Sequence, residues 1–441
     1  MSVIFKNITV FQFVIYKLGA KFTDMRKILF FFLLIFCPFI YGQSLKTEPL
    51  SDDIQTIRID ANGEWGTIPV INRNSNDFVR ISFDRIGEES YNYLRYRIVH
   101  CNADWTKSSL ADVEFLNGFN NNEIEDYANS TTTNVLYTNY QLQIPNNNVK
   151  LKLAGNYAVE VFEEDNPSNV LLRACFSVLD KSVQVGGTVS SLTDIDANKE
   201  HQQVSFSVSY NNLQVRDVFS DLRVYVRQNN RLDNQKSLVK PTSVQGNKLV
   251  YEHNRNLIFE AGNEYRRFES VSNRYKGMNV QNIEYRRPNY YISVYPDKIR
   301  ANRSYSFDED QNGRFLIRNA ERNDSDTEAD YFYTKFTLKS PDPFIEPIYI
   351  NGDFTYDTFD TFDERYLMQY DAMNEEYSLT LLLKQGAYNY QYLAGSGNIY
   401  TPALTEGNYY QTENEYSIYV YYRPLGTRYD LLVGFLKIGG R

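Results

Sequence analysis

This sequence predicts an all-β fold of about three consecutive antiparallel β-sandwiches, immunoglobulin-like or early-set in type, with little helix. Three observations lead there. Apolar and polar residues alternate with a period of two in one segment after another. Apolar positions at helical spacing are nearly absent. Turn residues punctuate the chain at intervals of roughly 8–12 residues. The composition agrees, because 37 Tyr and 28 Phe against 5 Met suit a pleated, half-buried surface. A chain of 441 residues holds about three domains at roughly 150 residues each.

The elements follow in chain order. Val79, Ile81 and Phe83 alternate with Arg80 and Ser82, and Leu94, Tyr96, Ile98 and His100 share a face opposite Arg95 and Arg97. Leu110, Val113 and Leu116 space a short helix that ends at Gly118. Val204, Phe206, Val208 and Tyr210 are separated by serines, and Leu222, Val224 and Val226 alternate with Arg223, Tyr225 and Arg227. Leu379, Leu381 and Leu383 lead across a turn at Gly386 to Tyr388, Tyr390 and Tyr392; Ile418, Val420 and Tyr422 close the pattern. One-sided alternation implies sheets with one packed face and one wet face. Breaks at Gly186-Gly187 with the polar stretch after it, and at Asn323-Asp324-Ser325-Asp326, divide the chain into expected domains 43–180, 181–300 and 301–441.

Residues 1–42 read as a leader. Met25-Arg26-Lys27 precedes an almost unbroken apolar run from Ile28 to Tyr41, and Gly42-Gln43-Ser44 offers a small-residue cleavage zone. The run contains Pro38 and falls short of the about 20 apolar residues of a membrane span. Met25 is an alternative start. The expectation is an exported chain with no integral membrane span after cleavage. Of the cysteines, Cys101 and Cys175 lie beyond the leader; an oxidising compartment permits a bridge, and two buried free thiols are the favoured reading.

The charges, 46 basic against 55 acidic, show no basic excess, so no nucleic-acid partner is expected. No metalloprotease, nucleophile-elbow, phosphate-loop or CxxC motif occurs, and His100, His201 and His253 are scattered. We expect no enzyme, no metal and no cofactor. His100, on the apolar face of its strand, reads as a core histidine. Asp308, Asp310, Asn312 and Gly313 match the start of a calcium loop, but position 12 is Asn319 rather than a bidentate Glu. An Asn-Gly hairpin turn accounts for the same residues. The segment from Tyr356 to Asp363 is acidic and aromatic. Its rings either pack back onto a sheet or form a recognition loop, in which Tyr356, Phe359 and Phe362 are the candidate partner contacts.

Five blocks, in order, carry a resemblance. They are His100-Cys101-Asn102-Ala103-Asp104-Trp105; the Tyr/Thr-rich stretch Tyr127, Ser130, Tyr137, Thr138 and Tyr140; Gln228-Asn229-Asn230-Arg231; Gly262-Asn263-Glu264-Tyr265-Arg266-Arg267-Phe268; and two blocks near the end counted together, Leu383-Lys384-Gln385-Gly386-Ala387-Tyr388-Asn389-Tyr390 and Glu406-Gly407-Asn408-Tyr409-Tyr410-Gln411-Thr412. Across roughly residues 50–430 the chain resembles the plug protein of the type IX secretion system of Bacteroidota. The resemblance implies a non-enzymatic periplasmic protein, peripheral to the outer membrane. Its implied partner is the large outer-membrane β-barrel translocon of that system, whose periplasmic opening it closes. A second resemblance is to early-set carbohydrate-binding modules, carried by Tyr349-Ile350-Asn351-Gly352-Asp353-Phe354 and the later Gly386-Ala387-Tyr388-Asn389-Tyr390. It implies an exported carbohydrate-binding protein as the alternative, although no Trp for stacking sugar lies beyond Trp105.

Overall fold

The computed structural model describes residues 44–87, 93–357, 364–396 and 399–439; the predicted leader lies outside them. Among the described residues, helix amounts to three single turns, Asp112–Phe115, Val218–Asp221 and Ser325–Glu328, and two 3₁₀ turns. The rest is strand and loop, as period-two alternation requires. The helix expected over Leu110–Gly118 is one turn long. It ends at Leu116, whose backbone is extended, and Leu116–Gly118 pairs with Val149–Leu151. The apolar spacing there serves a strand end, since Leu116 is buried while Val113 is exposed.

Three hydrophobic cores organise these strands, each sandwiched between two sheets. The first core packs Ile54–Ala61, Val79–Ile86 and Tyr137–Ile144 against Leu94–Cys101, Gly155–Glu163 and Asn166–Leu179. Its centre holds Phe83, Tyr96, Tyr157 and Phe176; Tyr157 and Phe176 stack at 5.6 Å, and Phe83 and Tyr140 at 5.2 Å. A second core, drawn from residues 262–412, packs Phe268, Tyr388 and Tyr390 from one layer against Phe332, Phe336 and Leu338 from the other. Offset and edge-to-face contacts of this kind add about 0.5–1.5 kcal/mol per pair beyond area burial, and Phe268 alone makes three.

The middle core departs from the expected order. Its first sheet is Gln184–Ser190, His201–Ser209, Lys248–Tyr251 and neighbours. Its second sheet joins Leu222–Gln228 to the hairpin Glu415–Tyr422 and Leu431–Gly439. Val204, Phe206, Val224, Val226, Ile418 and Val420 share one core. Residues 262–412 are therefore an insertion within the central sandwich, and the ranges 181–300 and 301–441 do not each close a sandwich. The polar break at Gly186-Gly187 is itself a strand, in which a Cβ on Gly187 would meet Phe206 Cβ at 2.7 Å. The close approach explains the glycine better than a linker does. Likewise, Glu376–Lys384 and Gly386–Ser396 do not form a hairpin. The chain crosses from one layer to the other at Gln385, and a Cβ on Gly386 would meet Leu316 O at 2.3 Å.

One sheet runs through two sandwiches. Leu179 pairs in parallel with Leu432, so the strands of the central hairpin continue those of the first sandwich in a single nine-stranded sheet.

Candidate functional site

Many of the residues singled out from the sequence lie at the seams between sandwiches, and others lie inside the inserted one. At the seam of the first and inserted sandwiches, the outer face of the first sheet carries Arg58, Ser82, Asp84, Asn139 and Gln141. The inserted sandwich covers it with Asp326, Tyr331 and Lys384. Lys384 and Asp84 are both essentially unexposed and bond at 2.6 Å. Asp84 also accepts from Tyr331 Oη at 2.6 Å and from Asn139 Nδ2 at 2.7 Å. The Lys384 ammonium donates to the Asp326 carbonyl at 2.7 Å and lies 4.1 Å from the Tyr137 ring centre. Burial lowers the Lys384 pKa, and the Asp84 carboxylate restores it only in part. Beside this pair, Arg58 donates to Asp326 at 2.5 Å. Gln385 Oε1 accepts from Asp330 N at 2.8 Å, while Asp330 in turn accepts from Asn134 and Val135 of the first sandwich.

At the seam of the first and central sandwiches lies the His100–Trp105 block. Cys101 bridges to Lys107 across a tight turn in which Asp104 accepts from Thr106 N and Oγ1 and Trp105 has a φ of 65°. Ala103 N donates to Asp430 at 3.0 Å. Asp430 is fully buried and also accepts from Arg423 Nε and Nη2 at 2.8 Å and from Arg223 at 3.1 Å. Asn102 accepts from Asn156 Nδ2 through its carbonyl, and Asn156 takes the hydroxyl of Tyr421 at 2.8 Å. Cys101 and Cys175 are free and buried in one small cluster with Trp105. Burial pushes the Cys101 thiol up to about 12, so it is inert at neutral pH.

His100 is 1% exposed, and its Nδ1 meets Ser108 Oγ at 3.0 Å. Burial lowers its pKa to about 4. The unfolded chain then binds a proton near pH 6.5 that the folded chain refuses until about pH 4, so stability is lost as pH falls through that window. We expect His100→Asn to flatten the pH dependence of the urea midpoint between pH 6.5 and 4, where the native histidine accounts for up to about 3 kcal/mol.

The inserted sandwich carries the third set. Glu406 is fully buried and receives Arg266 Nε at 3.0 Å and Nη2 at 2.8 Å, Arg300 Nε at 2.7 Å and Tyr392 N at 2.9 Å. Asp297 receives Arg266 and the hydroxyls of Tyr390 and Tyr392. Asn263 donates to the Glu406 carbonyl, Glu264 accepts from Tyr305 and Glu413 N, and the Tyr388 hydroxyl donates to the Lys384 carbonyl. Arg314 clamps both oxygens of Glu415 on the central hairpin, at 2.9 and 3.0 Å. The motif residues thus fill structural roles, some at a seam and others, such as Arg266, Tyr388 and Tyr390, inside the inserted sandwich.

Sequence reasoning misses the acidic partners Asp84, Asp330 and Asp430, and reads Asp326 only as part of a domain break. Asp84 lies in the polar register of its strand, the register read as wet, and is buried because another sandwich lies on it.

Two loop readings can be placed. Asp310 accepts from the Tyr265 and Asn312 amides, Asn312 and Gly313 have φ of 53° and 90°, and Asp308 pairs with Arg267. This is a turn, but not a hairpin, because Phe315–Ile317 pairs with the distant strand Gly386–Ser396. Among the described residues no group of three or more His, Cys, Asp or Glu is arranged to hold a metal ion. Of the two readings of the Tyr356 loop, Tyr356 itself takes the packed one rather than that of an exposed contact. A 3₁₀ turn, Asp353–Thr355, and a φ of 55° tuck its ring against the first core, where its hydroxyl accepts from Ile57 N at 2.8 Å. Phe359 and Phe362 lie outside the described residues.

Fold and seams together define an all-β protein of several antiparallel sandwiches locked to one another by buried polar networks. Residues 54–180, the first sandwich, match the family model for the type 9 secretion system plug protein 1st domain. The chain is also similar to a crystal structure of a hypothetical protein from Parabacteroides merdae ATCC 43184, with 43% identity, a TM-score of 0.87, and coverage of 90% of this chain and 100% of that one. The chain belongs to the same family as that Parabacteroides protein, and it resembles the type IX secretion plug protein. No curated protein matches it.

Proposed function

We propose that this protein is a non-enzymatic periplasmic plug that binds and closes the periplasmic opening of the type IX outer-membrane translocon. The observation that carries the reading is the match of residues 54–180 to the plug protein's first domain. The construction of the chain supports it. A plug must hold its shape over a wide aqueous opening, and buried networks at all three seams make relative motion of the sandwiches costly. No helix among the described residues is long and apolar enough to cross a membrane, which suits a peripheral partner, and the leader pattern supports export.

Two measurements test the proposal. Affinity purification of the tagged protein from its own outer membrane is expected to recover the giant barrel. Deleting the gene in a strain whose translocon lacks its substrate-loaded partner is expected to make the outer membrane leaky to large hydrophilic compounds. An outer membrane that stays tight in that strain rules out plugging even where binding is real.

A further inference from the structure

Between the central and inserted sandwiches lies a cleft of about 470 Å³, within the range of small-ligand sites and at the kind of junction where they form. Two edge strands form its walls, Ile258–Glu260 of the central sandwich and Ile399–Thr401 of the inserted one, and Thr401 Oγ1 reaches across to Glu260 Oε2 at 2.6 Å. Two of the resemblance blocks meet here, through Gln228, Asn229 and Arg231 and through Gly262, Asn263 and Tyr265.

Most of the wall is satisfied internally. Arg231, only 6% exposed, is held by both oxygens of Asp233, and Asn229 is bonded to Asn414 and Glu415 N. Two groups stand apart. The side-chain carbonyl of Asn234 is buried with no hydrogen-bond partner among the described residues, a state that native structures rarely leave unexplained. The Lys236 ammonium makes no ion pair among them and lies 5.1 Å from the Phe259 ring centre. Burial lowers its pKa, with Glu260 offsetting this only in part. Arg255 adds a second cation at the rim. In a chain of net charge −9, the cleft is a pocket with two cations, an open acceptor at Asn234 and the Tyr400 ring in its wall.

We propose that this cleft binds a short acidic oligosaccharide, with Lys236 pairing its carboxylate and Asn234 accepting from a sugar hydroxyl. A sugar suits the wall because a hydroxyl can donate to the open Asn234 carbonyl and because Tyr400 brings aromatic surface. The inference stands apart from plugging: ligand binding is read on the purified protein, and plugging on the intact membrane.

The test is calorimetric titration of the mature chain with a galacturonic acid trimer, the neutral galactose trimer and a tri-aspartate peptide. The acidic sugar is expected to bind at least tenfold more tightly than the other two. Lys236→Gln is expected to weaken it at least tenfold, Lys236→Arg to retain it, and Asn234→Ala to weaken it. Should Lys236→Gln fail to fold, the arginine variant and the salt dependence of wild-type binding carry the test. The proposal is overturned by no binding at about 10 mM sugar, by equal binding of the neutral trimer or the peptide, or by binding indifferent to both Lys236→Gln and Asn234→Ala.

Discussion

Lys384→Met is expected to lower the stability of the protein by about 3–5 kcal/mol. The substitution keeps the length and most of the apolar stem of the side chain, so packing changes little. What changes is Asp84. With neither residue more than 1% exposed, the carboxylate is left in a dry seam with the Tyr331 hydroxyl and the Asn139 amide as its remaining donors. Two neutral donors do not compensate a charge removed from water. The paired substitution Lys384→Met with Asp84→Asn removes both charges and should recover most of the loss. Urea unfolding of the two singles and the double yields the coupling directly. A single-variant effect below about 1 kcal/mol would show that water reaches the pair and that the seam is not dry.

Asp430→Ala should cost a similar amount, about 3–5 kcal/mol, at a different seam. Three donors converge on this fully buried carboxylate: Arg423, Arg223 and the Ala103 amide. Removing it leaves two guanidinium groups facing each other and releases the turn that holds Trp105. Both arginines are about one-third exposed, at 31% and 27%, so solvent takes up part of the loss, and the lower end of the range is the better expectation. The position of the change is more diagnostic than its size. Hydrogen exchange should quicken in residues 100–108 and 421–432, while the amides of the inserted sandwich keep their protection. Uniform loss of protection would mean that this seam is not a separate element.

Strands and class were legible because period-two alternation is imposed locally by the pleat. Val79–Ile86, Leu94–Cys101 and Leu222–Gln228 could each be read from their own residues. What alternation cannot reveal is the strand's neighbour. Leu222–Gln228 reads alike whether its partner lies next in sequence or beyond a whole sandwich, and its partner is Glu415–Tyr422. The same blindness hid the function of Asp84. Its register says only that it faces away from the first core, and a polar residue satisfies that rule equally well under water or under another sandwich. The motif blocks were legible as unusual residues in company. Their role was not, because Lys384 meets Asp84, and Ala103 meets Asp430, through separations of about three hundred residues that no local pattern encodes.

The inserted arrangement of residues 262–412 has a consequence for the order in which the chain can mature. As the chain emerges from its N-terminus, the first sandwich has all its strands once residue 180 is through, and the inserted one can close on itself by residue 412. The central sheet Gln184–Ser190 to Ile258–Glu260 must wait with its apolar face uncovered until the hairpin Glu415–Gly439 arrives to cover it. The middle of the molecule is therefore the last part to form, and its closure entropy is kept small only if the inserted sandwich has already brought residues 261 and 413 together. A truncation that removes only the hairpin would take away the middle and leave both flanking sandwiches capable of folding. The Val204, Phe206 and Val208 face would then be an uncovered apolar surface, open to association with other chains.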